Sequence, residues 1–285
     1  MNTDILQKIL DFMKSAGDIA LRNYNHTDNN HFKSDSTIDI VTKSDIAISK
    51  LFRKFCADNF ADLDYVIIDE ESLDTLGTDP FAEVAKHEYQ FVIDPIDGTL
   101  TYALGIPMFG ISVGVLRRRA PLMGAIYAPA LGELVYGDIT GATWMRNVFS
   151  ENQTTIQLYP HEIDRKALIL NMDWFVTPNQ NIDFRIEMPS NFYSAVVHFI
   201  YLATGRGRAH YFGVKIWDMS GGWALLKYLG FEFMNYNTGK ILERLNSEDF
   251  SQKFKIKECH IVCKPNDFDR LKHIADLIEE EQTQI

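Results

Sequence analysis

An apolar run from Tyr89 to Ile93 ends in Asp94-Pro95-Ile96-Asp97-Gly98-Thr99, and this junction constrains the chain more than any other stretch. The run reads as a buried strand. Two carboxylates three residues apart appear where the strand gives out. Pro95 is expected to stop the ladder, and Gly98 and Thr99 to begin a new element. Such a junction aims two hard oxygen ligands at one point and sets free backbone N–H groups beside them. Mg²⁺ binds through a few carboxylates together with substrate phosphate oxygens, and N–H groups at a helix start favour phosphate. Alone, the segment reads equally well as an ordinary turn, because Pro presets φ, Asp makes Asx turns and Gly accepts positive φ.

The rest of the chain narrows the choice. With 285 residues it can bury one large core or two subdomains sharing an interface. A hydrophobic content of 46% is that of an ordered globular protein. The formal net charge of −11 argues against a nucleic-acid surface, which needs clustered Lys and Arg. It permits an anionic substrate where bound cations reverse the local field. Asp4 and Asp11 sit where a signal peptide would need a basic region and an apolar core. No stretch approaches the ~20 apolar residues of a membrane span. Cys56, Cys259 and Cys263 are too few and too uneven for a disulfide framework. A cytoplasmic protein is therefore expected. Cys259, Ile261 and Cys263 alternate along a strand pattern, so a shared buried face is favoured over a zinc cluster with His260.

Periodicity places the elements. Residues 3–24 carry a helical stripe of Ile5, Ile9, Phe12, Met13, Ala16, Ile19 and Ala20. Polar residues from Asn25 to Thr37 read as a long loop, Ser44 to Asn59 as a second helix and Tyr65 to Ile68 as a short strand. A polar loop is expected up to about Lys86. After Thr99, the segments Phe109–Arg117, Met123–Ala128, Leu134–Asp138 and Thr143–Asn147 form an antiparallel meander, punctuated by Pro121, Pro129, Gly132 and Gly141. The second half alternates as strand Ala167–Asn171, helix Tyr193–Thr204, strand Ala209–Phe212, helix Ser220–Leu229, strands Phe231–Tyr236 and Cys259–Cys263, and helix Pro265–Glu279. This is an α/β pattern. A soft boundary near Asn147 separates an N-terminal α+β subdomain, 1–147, from a C-terminal α/β subdomain, 148–285.

Carboxylates recur at the ends of these elements: Glu70 with Glu71, Asp94 with Asp97, Asp218 after Trp217, and Asp45 at a helix start. Gathered in one cleft they would repel one another strongly unless cations were bound. Each has a plainer reading as well: Glu70 and Glu71 as a solvated loop, Asp218 and Asp45 as helix caps.

Four segments in order give the chain a family resemblance. Asp39-Ile40-Val41-Thr42-Lys43-Ser44-Asp45, Asp69-Glu70-Glu71-Ser72, Asp94 to Thr99, and Trp217-Asp218-Met219-Ser220-Gly221-Gly222 resemble the motifs of the inositol monophosphatase-like family. These are Mg²⁺-dependent, lithium-sensitive phosphatases. The resemblance runs nearly end to end. It implies a layered α-β-α-β-α sandwich, a homodimer and two or three Mg²⁺ per active site. It gives Glu70, Asp94 and the carbonyl of Ile96 to one metal and Asp94, Asp97 and Asp218 to a second, with a weaker third near Glu70. Asp45 and Thr99 become the pair that orients and deprotonates the attacking water, and Glu71 and Lys33 complete the catalytic group. Gly98 and Thr99 grip phosphate through their N–H groups. Asp97, Ser194, Ala195, Tyr211 and Asp218 lie on the substrate side. Mg²⁺ suits an oxygen-only set with no Cys or His in the motifs.

The substrate side departs from the family pattern. Tyr211, seven residues before Asp218, stands where inositol-specific members carry a glutamate. Tyr193-Ser194-Ala195 replaces Gly-Ser-Ala, Leu100-Thr101-Tyr102 replaces Thr-Asn-Phe, and Asp69 replaces a glycine and adds negative charge. Lys215 resembles a lysine of many bacterial members and reads equally as a surface charge. The expected activity is Mg²⁺-dependent hydrolysis of a small phosphate monoester by metal-activated water. Inositol phosphate, a nucleotide of the phosphoadenosine phosphate type and a sugar phosphate such as fructose bisphosphate are the candidate substrates. A non-catalytic regulator of the same shape is the competing reading.

Overall fold

The computed structural model describes residues 2–24, 30–32, 40–162, 167–170 and 189–273. In chain order the elements are α1 (Asn2–Asn23), β1 (Asn30–Phe32), β2 (Ile40–Thr42), α2 (Lys43–Asn59) and β3 (Tyr65–Asp69). A 3-10 turn (Glu70–Leu76) leads to α3 (Pro80–Lys86), β4 (Tyr89–Asp97) and α4 (Thr99–Ala103). Then come β5 (Gly110–Arg117), β6 (Ala120–Ala128), β7 (Glu133–Asp138), β8 (Gly141–Arg146), β9 (Thr154–Leu158), β10 (Leu168–Leu170) and β11 (Pro189–Ser190). The chain continues through α5 (Ala195–Ala203), β12 (Gly207–Phe212), α6 (Ile216–Tyr228), β13 (Glu232–Asn235) and β14 (His260–Cys263).

Strands β3 to β9 form one seven-stranded sheet in sequence order. Only its β3–β4 pair is parallel, joined through α3. The second sheet has five strands in the order β11-β10-β12-β14-β13. Three hydrophobic cores separate the layers. Ile5, Ile9, Phe12, Met13, Ala16 and Ala20 on α1 join Ile48 and Phe52 on α2 over one face of the large sheet. Its other face meets α5 and α6, which pack in turn on the small sheet. Ile169, Ala209, Tyr211, Ile261 and Cys263 on the far side of the small sheet pack with Phe268 and Leu271 of the last helical turns. The result is the layered α-β-α-β-α sandwich. Strand β4 is buried on both faces, which accounts for its central Phe91-Val92-Ile93: Phe91 and Ile93 face α1 and α2, while Val92 faces α5 and α6.

Close contact between α6 and the large sheet requires small residues. A Cβ on Gly221 would stand 2.7 Å from the carbonyl oxygen of Ala125, and one on Gly114 would stand 2.5 Å from Ser220. Ser220-Gly221 is therefore the surface by which α6 seats on β5 and β6, while Gly222 meets Phe199 of α5.

Several elements differ from expectation. The loop before Lys86 contains α3, with Pro80 in its first turn and the Asp79 carboxylate accepting the Ala82 N–H at 3.1 Å. Strand β9 is polar and mostly exposed, so it lacks the apolar alternation that signals a strand. It completes the large sheet beyond Asn147, so the proposed subdomain boundary falls one strand short of that sheet's end. The loop Asn25–Thr37 includes β1, paired antiparallel with β2. Lys33 and Asp39 lie outside the described residues, as does the last helix beyond residue 273. Helix α6 starts at Ile216, four residues earlier than its pattern suggested, which places Asp218 in its first turn. Cys259, Ile261 and Cys263 share one face of β14 and its approach.

Candidate active site

The strand carrying Asp94 and Asp97 does not stop at Pro95. Asp94 pairs with Ser112 and Asp97 with Gly110, so Pro95 and Ile96 together face Ile111 alone. This is a β-bulge, and Pro tolerates that position because the ladder is already interrupted there. Residues three apart on a regular strand point to opposite faces. The extra residue turns both aspartates to the same side. Carboxylate oxygens of Asp94, Asp97 and Asp218 all lie within 4.8 Å of one another.

Two helices deliver the remaining acids by the same local device. Asp45, the third residue of α2, reaches back to accept the Thr42 N–H at 2.9 Å, and the Thr42 hydroxyl also donates to it. Asp218, the third residue of α6, accepts the Lys215 N–H at 2.8 Å. Neither acid occupies the cap position itself; Thr42 and Lys215 do. Asp97 accepts the Val196 N–H at 2.7 Å and the Ser194 hydroxyl, so the start of α5 also opens toward the acids. Helix N-termini carry partial positive charge and offset part of the acidic repulsion.

The offset is incomplete. Burial, with Glu70, Asp218 and Asp97 adding repulsion, pushes Asp94 well above the usual carboxylate range. Burial likewise raises Asp97 to about 6 against the opposing bonds from Ser194 and Val196. Asp218 is raised to about 7 by burial and by Asp97 and Glu70. Asp45 reaches about 7, mainly through burial, with Glu71 and Glu70 adding to it. Among the described residues, Asp94 Oδ1 is buried without a hydrogen-bond partner. A buried, unpartnered carboxylate oxygen beside two other carboxylates fits a divalent cation with oxygen ligands.

Glu70 opens the 3-10 turn after β3, and its Oε1 lies 3.2 Å from the Lys215 ammonium. Lys215 also sits over the Trp217 ring, 4.9 Å from its centroid. It belongs to the site and is not merely a surface charge. Asp69 turns the other way: it accepts from Ser49 at 2.5 Å and from the Glu71 N–H at 3.0 Å, and it pairs with Arg53 at 3.3 Å. Its charge is thus absorbed by α2 and does not load the centre. Ile96 directs its carbonyl to the Thr99 hydroxyl at 2.9 Å. Gly98 has φ +81, and a Cβ there would stand 3.0 Å from the Met108 carbonyl and 3.1 Å from that of Tyr193. Glycine is therefore required where α4 begins beside Tyr193.

Ser194 and Ala195 stand at the start of α5, next to Asp97. Tyr211 does not join them. It is fully buried on the outer face of β12, and its hydroxyl donates to the Leu271 carbonyl at 2.7 Å. The assignment of Tyr211 to the substrate side is corrected accordingly. Counting seven residues back from Asp218 lands inside a strand, because β12 runs to Phe212 and only Gly213-Val214-Lys215 precede α6. Alternation then sends Tyr211 away from the centre. Tyr193 is different. It is 66% exposed and holds a left-handed backbone, φ +56, where the family pattern has glycine. Sequence reasoning gave no role to Ser112, whose hydroxyl donates to the Trp217 carbonyl at 2.8 Å and accepts the Gly221 N–H at 3.2 Å. It fastens α6 to β5 opposite Asp94. A polar residue inside the otherwise apolar segment 109–116 was its signal.

The α-β-α-β-α sandwich thus presents an oxygen-only acidic cluster of a kind suited to a divalent cation. The Inositol monophosphatase family profile matches residues 2–282, and the chain belongs to that family. It is 24% identical over 234 residues to inositol monophosphatase 1 of Solanum lycopersicum, covering 80% of this chain and 82% of the relative. The solved structure of the Thermotoga maritima IMPase superposes with a TM-score of 0.69 at 19% identity, covering 98% of this chain and 99% of that one. A solved IMPase/NADP phosphatase complexed with NADP and Ca²⁺ gives a TM-score of 0.71 at 17% identity, covering 96% and 95%.

Proposed function

We propose that the protein hydrolyses a small phosphate monoester in a Mg²⁺-dependent reaction. The observation that carries this reading is the convergence of Asp94, Asp97 and Asp218 around the unpartnered Asp94 Oδ1. Glu70, Asp94, the Ile96 carbonyl, Asp97 and Asp218 would hold the metal. When bound, Mg²⁺ neutralises carboxylates and phosphate and makes a water more acidic. The chain's own residues supply the rest. Asp45, raised to about 7, is matched to holding a proton near neutral pH. Its Oδ2 is committed to Thr42, which leaves Oδ1 for the attacking water. Thr99 would orient that water together with Asp45. Gly98 and Thr99 offer N–H groups to the phosphate, Ser194 holds Asp97 in place, and Glu71 adds to the field that keeps Asp45 basic. Lys215 places an ammonium at Glu70, which favours two bound metals over three. Lithium sensitivity and a homodimer follow from the family resemblance.

Phosphate release over a panel of small esters, with Mg²⁺, with EDTA and with added Li⁺, tests the reading. Turnover that needs Mg²⁺ and falls with Li⁺ is expected. No turnover of any ester would favour the non-catalytic regulator.

A second reading concerns the leaving group. The backbone carbonyl of Tyr193 packs against Gly98, and its side chain is exposed where the family pattern has none. Aromatic faces stack on planar groups. A nucleotide phosphate is therefore favoured over inositol phosphate, and a sugar phosphate such as fructose bisphosphate ranks between them. Higher kcat/KM for inositol phosphate than for phosphoadenosine phosphate would reverse that order.

A further inference from the structure

Far from the acidic centre, the hairpin joining β5 to β6 turns on two arginines. Arg117 pairs with Ala120, so Arg118 and Arg119 form the whole loop, and both have positive φ, +50 and +69. Two-residue loops with positive φ at both positions are built most easily from Asn-Gly or Asp-Gly. Arginine at both positions is a conformational cost without a local reason, and such costs cluster at functional sites.

The surroundings hold these arginines in place. Arg118 N–H donates to the Glu88 carbonyl at 2.7 Å, and Arg119 N–H donates to Gln90 Oε1 at 2.8 Å. Gln90 is fully buried and anchors in turn to the His87 carbonyl at 2.7 Å. The Arg119 carbonyl accepts the Leu245 N–H at 2.8 Å, which brings Arg244 alongside. Arg118, Arg119 and Arg244 line one cleft of about 460 Å³ with Lys86. The acids of this cleft are already engaged: Glu88 with Arg117 at 2.7 Å and Asp64 with His87 at 2.6 Å. Lys86 is paired with Glu83. Among the described residues, the three cleft arginines form no ion pair. Three unneutralised guanidinium groups in one cleft, on a chain of net charge −11, are a concentrated exception to its field.

We propose that this cleft is a second binding site, for a small phosphorylated polyanion. Guanidinium forks match phosphate oxygens bidentately, and the volume is that of a small-molecule site. The cleft begins at the start of β4 and the acidic centre lies at its end. Glu88 and Asp94 are six residues apart, about 20 Å at strand rise, so one small ligand cannot span both.

Calorimetric titration of the full chain with inorganic pyrophosphate in EDTA reports on this site, because the metal-free centre gathers Asp45, Glu70, Asp94, Asp97 and Asp218 against the single ammonium of Lys215 and repels a polyanion. Saturable one-to-one binding is expected. The double variant Arg118→Asn/Arg119→Gly should bind about tenfold more weakly or worse, the scale of lost charge-assisted hydrogen bonds. Its Tm should rise, because the loop then suits its backbone, so weaker binding could not be ascribed to unfolding. Arg244→Gln, on a separate segment, should weaken binding in the same direction. Absence of binding, binding unchanged in both variants, or binding of an acidic glutamate peptide in preference to pyrophosphate would each overturn the assignment.

Discussion

The acidic centre and the rim from Tyr193 to Lys215 sit side by side, yet their residues are positioned by different means. In the centre the carboxylates lie at element ends: Asp45 and Asp218 are fixed by bonds three residues back, Asp94 and Asp97 are turned by the bulge, and only Asp97 and Glu70 add bonds to distant residues, Ser194 with Val196 and Lys215. Asp45 and Asp218 each reach back to the N–H three residues before them, at 2.9 and 2.8 Å. On the rim, residues sit within a strand or on a strained turn, and their direction depends on register and on neighbouring layers. Tyr211 and Tyr193 appear equivalent in sequence. One is fully buried against Leu271 and the other is 66% exposed. Short-range motifs thus specify chemistry closely, whereas spacing counted across a strand end does not.

The largest effect expected from breaking the centre is at Asp94. Asp94→Asn should lower phosphate release by about a thousandfold or more, the scale of losing a group that stabilises transition-state charge. It should also raise the Tm of the metal-free protein, because a buried repelling charge is removed. Retained Mg²⁺-dependent turnover would break the comparison at its stronger side.

Gly221→Ala tests how closely α6 must seat. Its Cβ would stand 2.7 Å from the Ala125 carbonyl. A loss of roughly 1–3 kcal/mol is expected for overpacking, read by denaturant titration. Turnover should fall too, because Asp218 rides on the same helix.

The acids also give stability a pH signature. Asp97 is raised from 3.8 to about 6, and Asp45 and Asp218 to about 7. At these groups the folded state binds more protons than the unfolded state, so their contribution to stability falls as pH rises. His198 and His210, held neutral by burial, act in the opposite sense over the same window, so the centre is isolated by comparison with a variant. The Tm gained by Asp218→Asn in EDTA should grow from pH 4 to pH 7 as the replaced group would ionise, and Mg²⁺ should raise the Tm of the unsubstituted protein more at pH 7 than at pH 4. Calorimetry of both proteins across that range measures it. A Tm difference that does not change between pH 4 and pH 7 would show that the centre does not carry this strain.

The smallest effects sharpen the rim. Tyr211→Phe should cost about 1 kcal/mol, the loss of one hydrogen bond, with kcat and KM unchanged. Tyr193→Gly should gain about 1 kcal/mol by removing a side chain from left-handed backbone, and raise KM for a nucleotide more than for inositol phosphate. Equal KM changes for both substrates would remove Tyr193 from specificity.

Much of this was legible in the chain. The stripe of α1 and the meander after Thr99 follow directly from period. Asp94 and Asp97 were recognisable as a pair, although the bulge that aligns them was not, because Pro95 reads as a stop whenever the partner strand is unseen. Helix α3 was hidden by polar composition, despite its Asp79-Pro80 start. Strand β9 was hidden because an exposed edge strand needs no apolar face. Lys215 and Ser112 gave weak signals, since each acts on a residue far away in sequence: Glu70 for one, Trp217 and Gly221 for the other.

By itself the sequence determined the family and, through that resemblance, the layered architecture, and it singled out the carboxylates proposed for the site, because caps, motifs and hydrophobic period are properties of neighbouring residues. The tertiary structure alone decided that Asp94 and Asp97 face one point, that Asp69 turns away to Arg53, that Tyr211 is structural and that three arginines share a cleft. Those outcomes depend on strand register and on the approach of layers, and both are set by packing between segments that no local pattern relates.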